Sequence, residues 1–253
     1  MMNLKNKVAI VTGGSHGIGE AIVKRFSSAG ANVLFTYKNS KEKAEEIIAG
    51  SLQEHGKIVA MQCDMSDVSC CNDIIERCVD EFGNTDILVN NVGILTRDSF
   101  MTINEDDYDR VLNTTLKVPF FLTQSVARRM ITEETRGSII NISSLSARIC
   151  RSRVAHYQIA KAGMENLTKS AAFELAEYGI RVNGICPGLT ATNANREQWE
   201  SQPELWKNRA ENIPLGRTGI AQDHAGAALF LASDEAAWVT GTTITIDGGM
   251  ALY

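Results

Sequence analysis

The chain has 253 residues, 44% hydrophobic and 22% charged, which suits one large soluble domain or two small ones. Its formal net charge of −5, with no basic block, argues against a nucleic-acid partner. Six cysteines at 63, 70, 71, 78, 150 and 186 have no C-x-x-C spacing, so they read as reduced, buried thiols of a cytoplasmic protein with no metal site.

In the opening stretch, residues 7–12 (KVAIVT) form a short β-branched run of the kind found in buried parallel strands. The apolar run is too short for a signal peptide, and no stretch reaches the ~18 apolar residues of a membrane span. Glycines 13, 17 and 19 follow, then an amphipathic helix with Ile18, Ile22, Val23 and Phe26 on one face. A glycine turn opening a helix offers unpaired N–H groups at the positive end of the dipole, a site for phosphate. The same spacing also describes a plain strand-to-helix turn, and the β-α-β rhythm that follows favours a nucleotide.

Residues 32–37 (NVLFTY) make the second strand and 41–52 the second helix. Dinucleotide folds place an acid at the end of this strand to bind the adenosine ribose. Here the chain reads Thr36-Tyr37-Lys38. The missing acid removes repulsion against a 2′-phosphate, which Lys38 and His16 can attract; alternatively Lys38 is a solvated loop charge. The expected cofactor is NADP(H), with NAD(H) also open.

A third strand, 57–62, leads to Asp64, which either meets the adenine amine or caps the helix expected over 68–82. Strand 86–89 ends in Asn90-Asn91-Val92-Gly93, turn formers whose amides can also tie neighbouring strands together and reach a ribose. Residues 105–130 read as one long helix despite Pro119, and 136–142 as the fifth strand. Ser144 follows, then Tyr157 and Lys161, four apart and so on one face of a helix. A free tyrosine titrates near pH ~10. A fixed ammonium beside it favours the phenolate and brings it towards useful proton transfer. Alone, Y-x-x-x-K equally describes two exposed residues on a surface helix. Strand 181–186 closes at Pro187-Gly188. The polar stretch 190–213, with Trp199 and Trp206, reads as part of a helical substrate lid at about 189–213, or as a solvent-facing or subunit-contact helix pair. A helix at 223–232 and a last strand at 242–247 complete the chain.

Seven strands alternating with helices imply a single α/β domain over residues 1–253, a doubly wound parallel sheet with helices on both faces. Thr12-Gly13-x-x-x-Gly17-x-Gly19, Asn90-Asn-Val-Gly93, Ser144, Tyr157-x-x-x-Lys161 and Pro187-Gly188 occur in this order, each at a strand end. Jointly they resemble the short-chain dehydrogenase/reductase family over essentially the whole chain.

That resemblance implies a Rossmann-type fold and hydride transfer between NADP(H) or NAD(H) and a carbonyl or secondary alcohol. It implies Tyr157 as general acid/base and Ser144 as the holder of the substrate oxygen. Lys161 would lower the tyrosine pKa and bind the nicotinamide ribose. Thr12, Gly13, Ser15, Gly17, Ile18 and Gly19 would line phosphates and ribose. Asp64 and Met65 would meet the adenine, and Asn90 the ribose region. Gly93 and Tyr157 also count as cofactor contacts, as do Tyr37, Lys38 and His16 at the adenosine end. Pro187, Gly188, Thr190 and Thr192 would meet the nicotinamide.

Where the family often has an asparagine that holds a relay water, this chain places Thr115. Either a local slip brings Asn113 inward or the Thr115 hydroxyl takes the role. The pattern is similar to 3-oxoacyl-[acyl carrier protein] reductases, for which Arg128, Arg129, Arg148, Arg151 and Arg153 offer a basic docking patch. The stretches HYQIAKAGM, ATNANREQW and DGGMALY are similar to sugar 1-dehydrogenases, for which Asn193, Asn195 and Gln198 suit a hydroxyl-rich ligand. A ketone reductase of the 3-oxoacyl type is the main expectation, a sugar dehydrogenase the alternative, and a nucleotide-binding sensor without turnover a remote one. The resemblance also implies a homotetramer.

Overall fold

Four consecutive apolar residues form the first strand, β1 (Val8–Val11), buried along its whole length. Successive side chains of a strand point to opposite faces. Val8 and Ile10 therefore join one apolar cluster, and Ala9 and Val11 the other. The same division runs through β2 (Asn32–Tyr37), where Val33 and Phe35 face one side and Leu34 the other. β3 (Ile58–Gln62), β4 (Ile87–Asn90), β5 (Ser138–Ile142), β6 (Arg181–Pro187) and β9 (Thr243–Ile246) complete a seven-stranded, all-parallel sheet. Its order is β3-β2-β1-β4-β5-β6-β9. The computed structural model describes residues 2–51 and 55–252.

Parallel neighbours need long crossovers, and helices supply them on both faces. α1 (Gly17–Ser28), α2 (Lys41–Ala49) and α9 (Gln222–Ala232) cover one face, with Ile22, Val23, Phe26, Ala228 and Leu229 against the sheet. α3 (Cys70–Phe82), α5 (Val118–Thr132) and α6 (Ala155–Leu175) cover the other, through Ile74, Leu122, Val126, Met130 and Ala172. Fully burying one such side chain contributes about 1.5–3 kcal/mol. Among the described residues, no helix is long and apolar enough to cross a membrane.

Several boundaries differ from the sequence reading, three of them in helices on the way to the site. The second helix ends at Ala49, and the expected end at Leu52 lies outside the described residues. The third helix starts at Cys70 rather than 68, because the Asp67 carboxylate accepts the Ser69 amide at 2.7 Å and forms an Asx turn ahead of it. The long helix expected over 105–130 is three pieces: α4 (Glu105–Leu112), a π-helical turn (Asn113–Lys117) and α5. In the π turn the Val118 amide donates to the Asn113 carbonyl, one residue further back than in an α-helix. Pro119 then falls in the first turn of α5, where its missing N–H is tolerated.

After β6 come a short strand, β7 (Thr190–Ala191), and two helices, α7 (Arg196–Ser201) and α8 (Pro203–Glu211). β7 pairs with β8 (Gly219–Ile220) in a separate two-stranded sheet. Neither α7 nor α8 has a buried residue, so this excursion rests on the body rather than contributing to the core.

Candidate active site

The strand order reverses between β1 and β4, and ligands of such sheets bind outside the carboxyl ends of the strands at that point. A cleft of about 1410 Å³ opens there. Single small-molecule sites hold ~300–1,000 Å³, so this volume has room for two ligands side by side.

One end is built by the turn between β1 and α1. Gly13 and Gly17 have φ of 65° and 55°, conformations that favour glycine. His16 caps α1 with extended backbone but no side-chain cap bond, leaving the first helical amides free. Its ring instead pairs with the Ser15 hydroxyl at 3.0 Å. Gly13, Ser15, His16, Gly17 and Ile18 all line the cleft. Free amides at a dipole's positive end suit a pyrophosphate, so the residues present fit a dinucleotide.

Three residues expected at the cofactor stand behind this wall instead. The Thr12 hydroxyl accepts the Asn91 and Val92 amides at 2.9 and 3.1 Å, pinning the end of β1 to the chain after β4. A Cβ on Gly19 would lie 2.3 Å from the Gly13 carbonyl oxygen, so this glycine permits helix–turn contact rather than ligand contact. Asn90 is 1% exposed and donates to Thr123 and Asn141, each at 2.9 Å, tying β4 to α5 and β5. Alternation along the strand turns Asn90 inward and leaves its neighbour, Asn91, in the cleft. Asn91 donates to the carbonyls of Thr12 and Gly13 at 2.9 and 3.2 Å.

Tyr37, Lys38, Asp64 and Met65 line the far end. Lys38 and Asp64 form an ion pair at 2.8 Å with side chains 61% and 51% exposed. The Lys38 hydrogen bond is the main cause that holds the Asp64 carboxyl below its ordinary range.

Ser144, Tyr157 and Lys161 lie together at the other end, with Gly93. Ser144 follows β5 and caps a 3₁₀ turn (Leu145–Ala147), accepting the Ser146 amide at 3.1 Å. Its hydroxyl lies near enough to the Tyr157 phenol to favour the phenolate. Lys161 is 3% exposed; its ammonium donates to the Ile142 carbonyl at 2.7 Å and sits 5.8 Å from the centroid of the Tyr157 ring. Burial pushes the Lys161 pKa down to about 8. Burial also pushes the Tyr157 phenol up, only partly offset by Ser144. The expected depression of the tyrosine by the lysine does not show here: both groups are desolvated, and the ammonium is engaged by a carbonyl.

The π turn places Asn113 and Thr115 differently. Asn113 lines the cleft, and Thr115 is fully buried. The Thr115 hydroxyl accepts the Ile94 amide at 3.3 Å, while a Cβ on Gly93 would meet its methyl at 3.5 Å. Thr115 thus braces the chain after β4, while Asn113, at the start of the turn, lines the cleft.

Pro187, Gly188, Thr190 and Thr192 line the cleft after β6. Thr190 is held from behind by His224 at 2.9 Å, a fully buried ring whose pKa burial pushes down to about 4. Asn193, Asn195, Gln198 and Arg209 carry the wall outward. Asn195 is occupied internally, accepting the Thr192 amide at 2.9 Å and donating to the Thr190 carbonyl at 2.8 Å. Arg97, Arg110, Arg151, Asp106 and Asp109 face this polar mouth. The expected basic patch is smaller than its sequence: Arg129 pairs with Glu133, and Arg148 with Glu165 at 3.0 Å. Of the six free cysteines, five are buried as expected and Cys150 is exposed.

A family model described as enoyl-(acyl carrier protein) reductase matches residues 13–251. The chain is 38% identical over 256 residues to an L-rhamnose 1-dehydrogenase (NAD(P)(+)) of Azotobacter vinelandii, covering 98% of each chain. It is 38% identical over 244 residues to a 3-oxoacyl-[acyl-carrier-protein] reductase of Staphylococcus aureus, covering 96% of this chain and 98% of that one. A short-chain type dehydrogenase/reductase from Mycobacterium marinum superposes with a TM-score of 0.90 at 33% identity, over 100% of this chain and 98% of that one. The chain belongs to the short-chain dehydrogenase/reductase family, as an NAD(P)-dependent oxidoreductase that moves hydride between a nicotinamide and a carbonyl or CH–OH carbon.

Proposed function

We propose that this enzyme prefers NADP(H) and acts on a short, hydrophilic ketone or alcohol, with Ser144, Tyr157 and Lys161 as its catalytic residues. The observation that carries the catalytic reading is the meeting of Ser144, the Tyr157 phenol and a buried Lys161 in one cleft. Bound in that cleft, the nicotinamide supplies the hydride donor or acceptor. The amides that open α1 and the Gly13 turn hold the phosphates, and Lys38 meets a 2′-phosphate. Ser144 holds the substrate oxygen and stabilises charge developing on it. The resting phenol is protonated, the form that gives a proton to that oxygen during reduction and receives one during oxidation. Lys161 keeps a positive charge next to the ring, oriented by the Ile142 carbonyl.

For the substrate, the polar mouth favours the sugar alternative over a long acyl chain: Arg97, Arg151, Arg209, Asp106, Asp109, Asn193 and Gln198 give hydroxyl or carboxylate groups many partners. A 3-oxoacyl thioester is the second reading, favoured by these arginines, which also suit the phosphate of a carrier arm. Segment 189–213 acts as the lid. The enzyme assembles as a homotetramer in the cytoplasm, in keeping with exposed Phe120, Phe121, Ile159 and Phe173 on α5 and α6 and with six unpaired cysteines.

The test is a fluorescence titration with NADPH and NADH, then turnover with aldoses, keto-aldonates and β-ketoacyl thioesters. Tighter NADPH binding with turnover of the first two classes supports the reading. Turnover of thioesters alone replaces it with the second, and binding of neither cofactor overturns both.

A further inference from the structure

One carboxylate clamps both ends of the turn that carries Ser144. Glu165 stands on α6 four residues past Lys161 and eight past Tyr157, so the three side chains share a face of that helix. The Ser143 hydroxyl, immediately before Ser144, lies 3.2 Å from Glu165 Oε1 and 3.3 Å from the Lys161 carbonyl oxygen and shares its proton between them. Arg148 closes the 3₁₀ turn that Ser144 opens, and its Nε donates to both oxygens of the same carboxylate, at 3.0 and 3.1 Å. A carboxylate has lone pairs for several donors, so one side chain can take both ends.

The clamp is also tied to the sheet. Arg148 Nη1 donates to the Thr245 hydroxyl on β9 at 2.7 Å. The Ser143 amide donates to the Ile185 carbonyl of β6, also at 2.7 Å, and fixes the main chain as it enters the turn. The Glu165 and Arg148 side chains are 16% and 38% exposed, a pair better shielded than Lys38 with Asp64. Ionised partners shorten and strengthen such hydrogen bonds. Neither Glu165 nor Arg148 lines the cleft; Ser143, Ser144, Tyr157 and Lys161 do.

We propose that Glu165 is a positioning residue for the reaction: acting through Ser143 and Arg148, its carboxylate fixes the Ser144 hydroxyl in place beside the Tyr157 phenol. The role rests on Ser144 holding the substrate oxygen, as proposed above. Tyr157 and Lys161 are placed relative to each other by α6 itself, because one helix carries both. Ser144 arrives on a separate loop and has to be docked onto that helix. Glu165 docks it from the helix, so the three groups form one rigid unit. Without the carboxylate the turn can shift, and a displacement near 1 Å at a reacting group costs about a hundredfold in rate.

A double-mutant cycle on kcat tests this, with NADPH and the fastest substrate of the panel above, on Glu165→Ala, Ser144→Ala and the double variant. Glu165→Ala is expected to lower kcat by about ten- to a hundredfold while the NADPH affinity, read by fluorescence titration, stays within about twofold. Ser144→Ala alone is expected to lower kcat by about 10²–10³-fold. In that background Glu165→Ala is expected to cost less than about threefold more, because no hydroxyl is left to place. Glu165→Gln, whose amide oxygen still accepts the Ser143 hydroxyl, is expected to recover most of the loss. Arg148→Ala opens the clamp from its other end and is expected to show the same dependence on Ser144, so the outcome does not hang on one variant folding. A loss just as large without the Ser144 hydroxyl, or no loss in Glu165→Ala, overturns the positioning role and leaves the catalytic assignment standing. Wild-type turnover in Ser144→Ala removes the catalytic assignment of Ser144, and the positioning role falls with it.

Discussion

Replacing Lys38 with alanine separates the two nicotinamide cofactors. Lys38 stands at the end of β2 with its ammonium 2.8 Å from the Asp64 carboxylate, both side chains more than half exposed. An exposed pair of this kind is worth about 0–1 kcal/mol, so Lys38→Ala leaves the melting temperature nearly unchanged. A charge-assisted bond to a 2′-phosphate is worth about 1.5–3 kcal/mol, so losing it weakens NADPH binding by about ten- to a hundredfold. NADH has no phosphate there and loses little. Asp64→Asn works in the other direction: it frees Lys38 from its partner and removes an anion from the phosphate's surroundings, tightening NADPH binding a few-fold. Fluorescence titration of both cofactors against wild type and the two variants, at two salt concentrations, reads all of this at once. The NADPH preference should also shrink as salt rises, because the contact is solvent-exposed. Equal losses of NADPH and NADH in Lys38→Ala would refute the reasoning and leave Lys38 as an ordinary rim charge.

Tyr157→Phe keeps the ring and removes the proton, so turnover should fall by about 10²–10⁴-fold while cofactor titration stays intact; an active variant would remove Tyr157 from the chemistry. His224 is buried neutral with its pKa near 4, below the ~6.5 of the unfolded chain. The unfolded state therefore binds the proton first, and the stability present above pH 6.5 declines by about 3 kcal/mol on acidification to pH 4. Urea unfolding from pH 7.5 to 4 should show that slope in the wild type and a shallower one in His224→Gln. Thr115→Ala strips the Ile94 amide of its acceptor, which should cost about 1–2 kcal/mol of stability, whereas Thr115→Ser keeps the hydroxyl and most of the stability. In Gly19→Ala the new carbon meets the Gly13 backbone oxygen, and a weaker dinucleotide affinity with a lower melting temperature should follow.

Much of this architecture was legible in the chain because it is encoded locally. The run VAIVT into a glycine turn and an amphipathic helix specifies β1 and α1 within 22 residues, Gly13 and Gly17 adopting the left-handed backbone the turn needs. Tyr157 and Lys161 come together because one helix carries both. What the sequence hid depends on contacts across the fold. Lys38 meets Asp64 only because β2 and β3 end side by side, Tyr37 opposite Gln62. Which of Asn90 and Asn91 faces the cleft depends on the phase of a four-residue strand, and a one-residue error inverts it. Asn195 looked like a substrate donor but is consumed by the backbone of residues 190–192. The direction of the Tyr157 shift could not be read from a neighbouring lysine, because burial, which no spacing reveals, is its main cause.

The wide turn at Asn113–Lys117 also bears on how the chain tolerates lengthening and shortening. A helix turns about 100° per residue, so a single inserted residue would normally rotate everything after it off its packing face. Here the surplus is confined to one turn. Val111 before it and Val118, Leu122 and Val126 after it all remain buried. The region therefore behaves as an indel buffer: deleting one residue between 113 and 117 would convert the turn to ordinary helix and leave both flanking faces where they are. A deletion that removes Asn113 itself would take a polar group from the cleft wall while sparing the core.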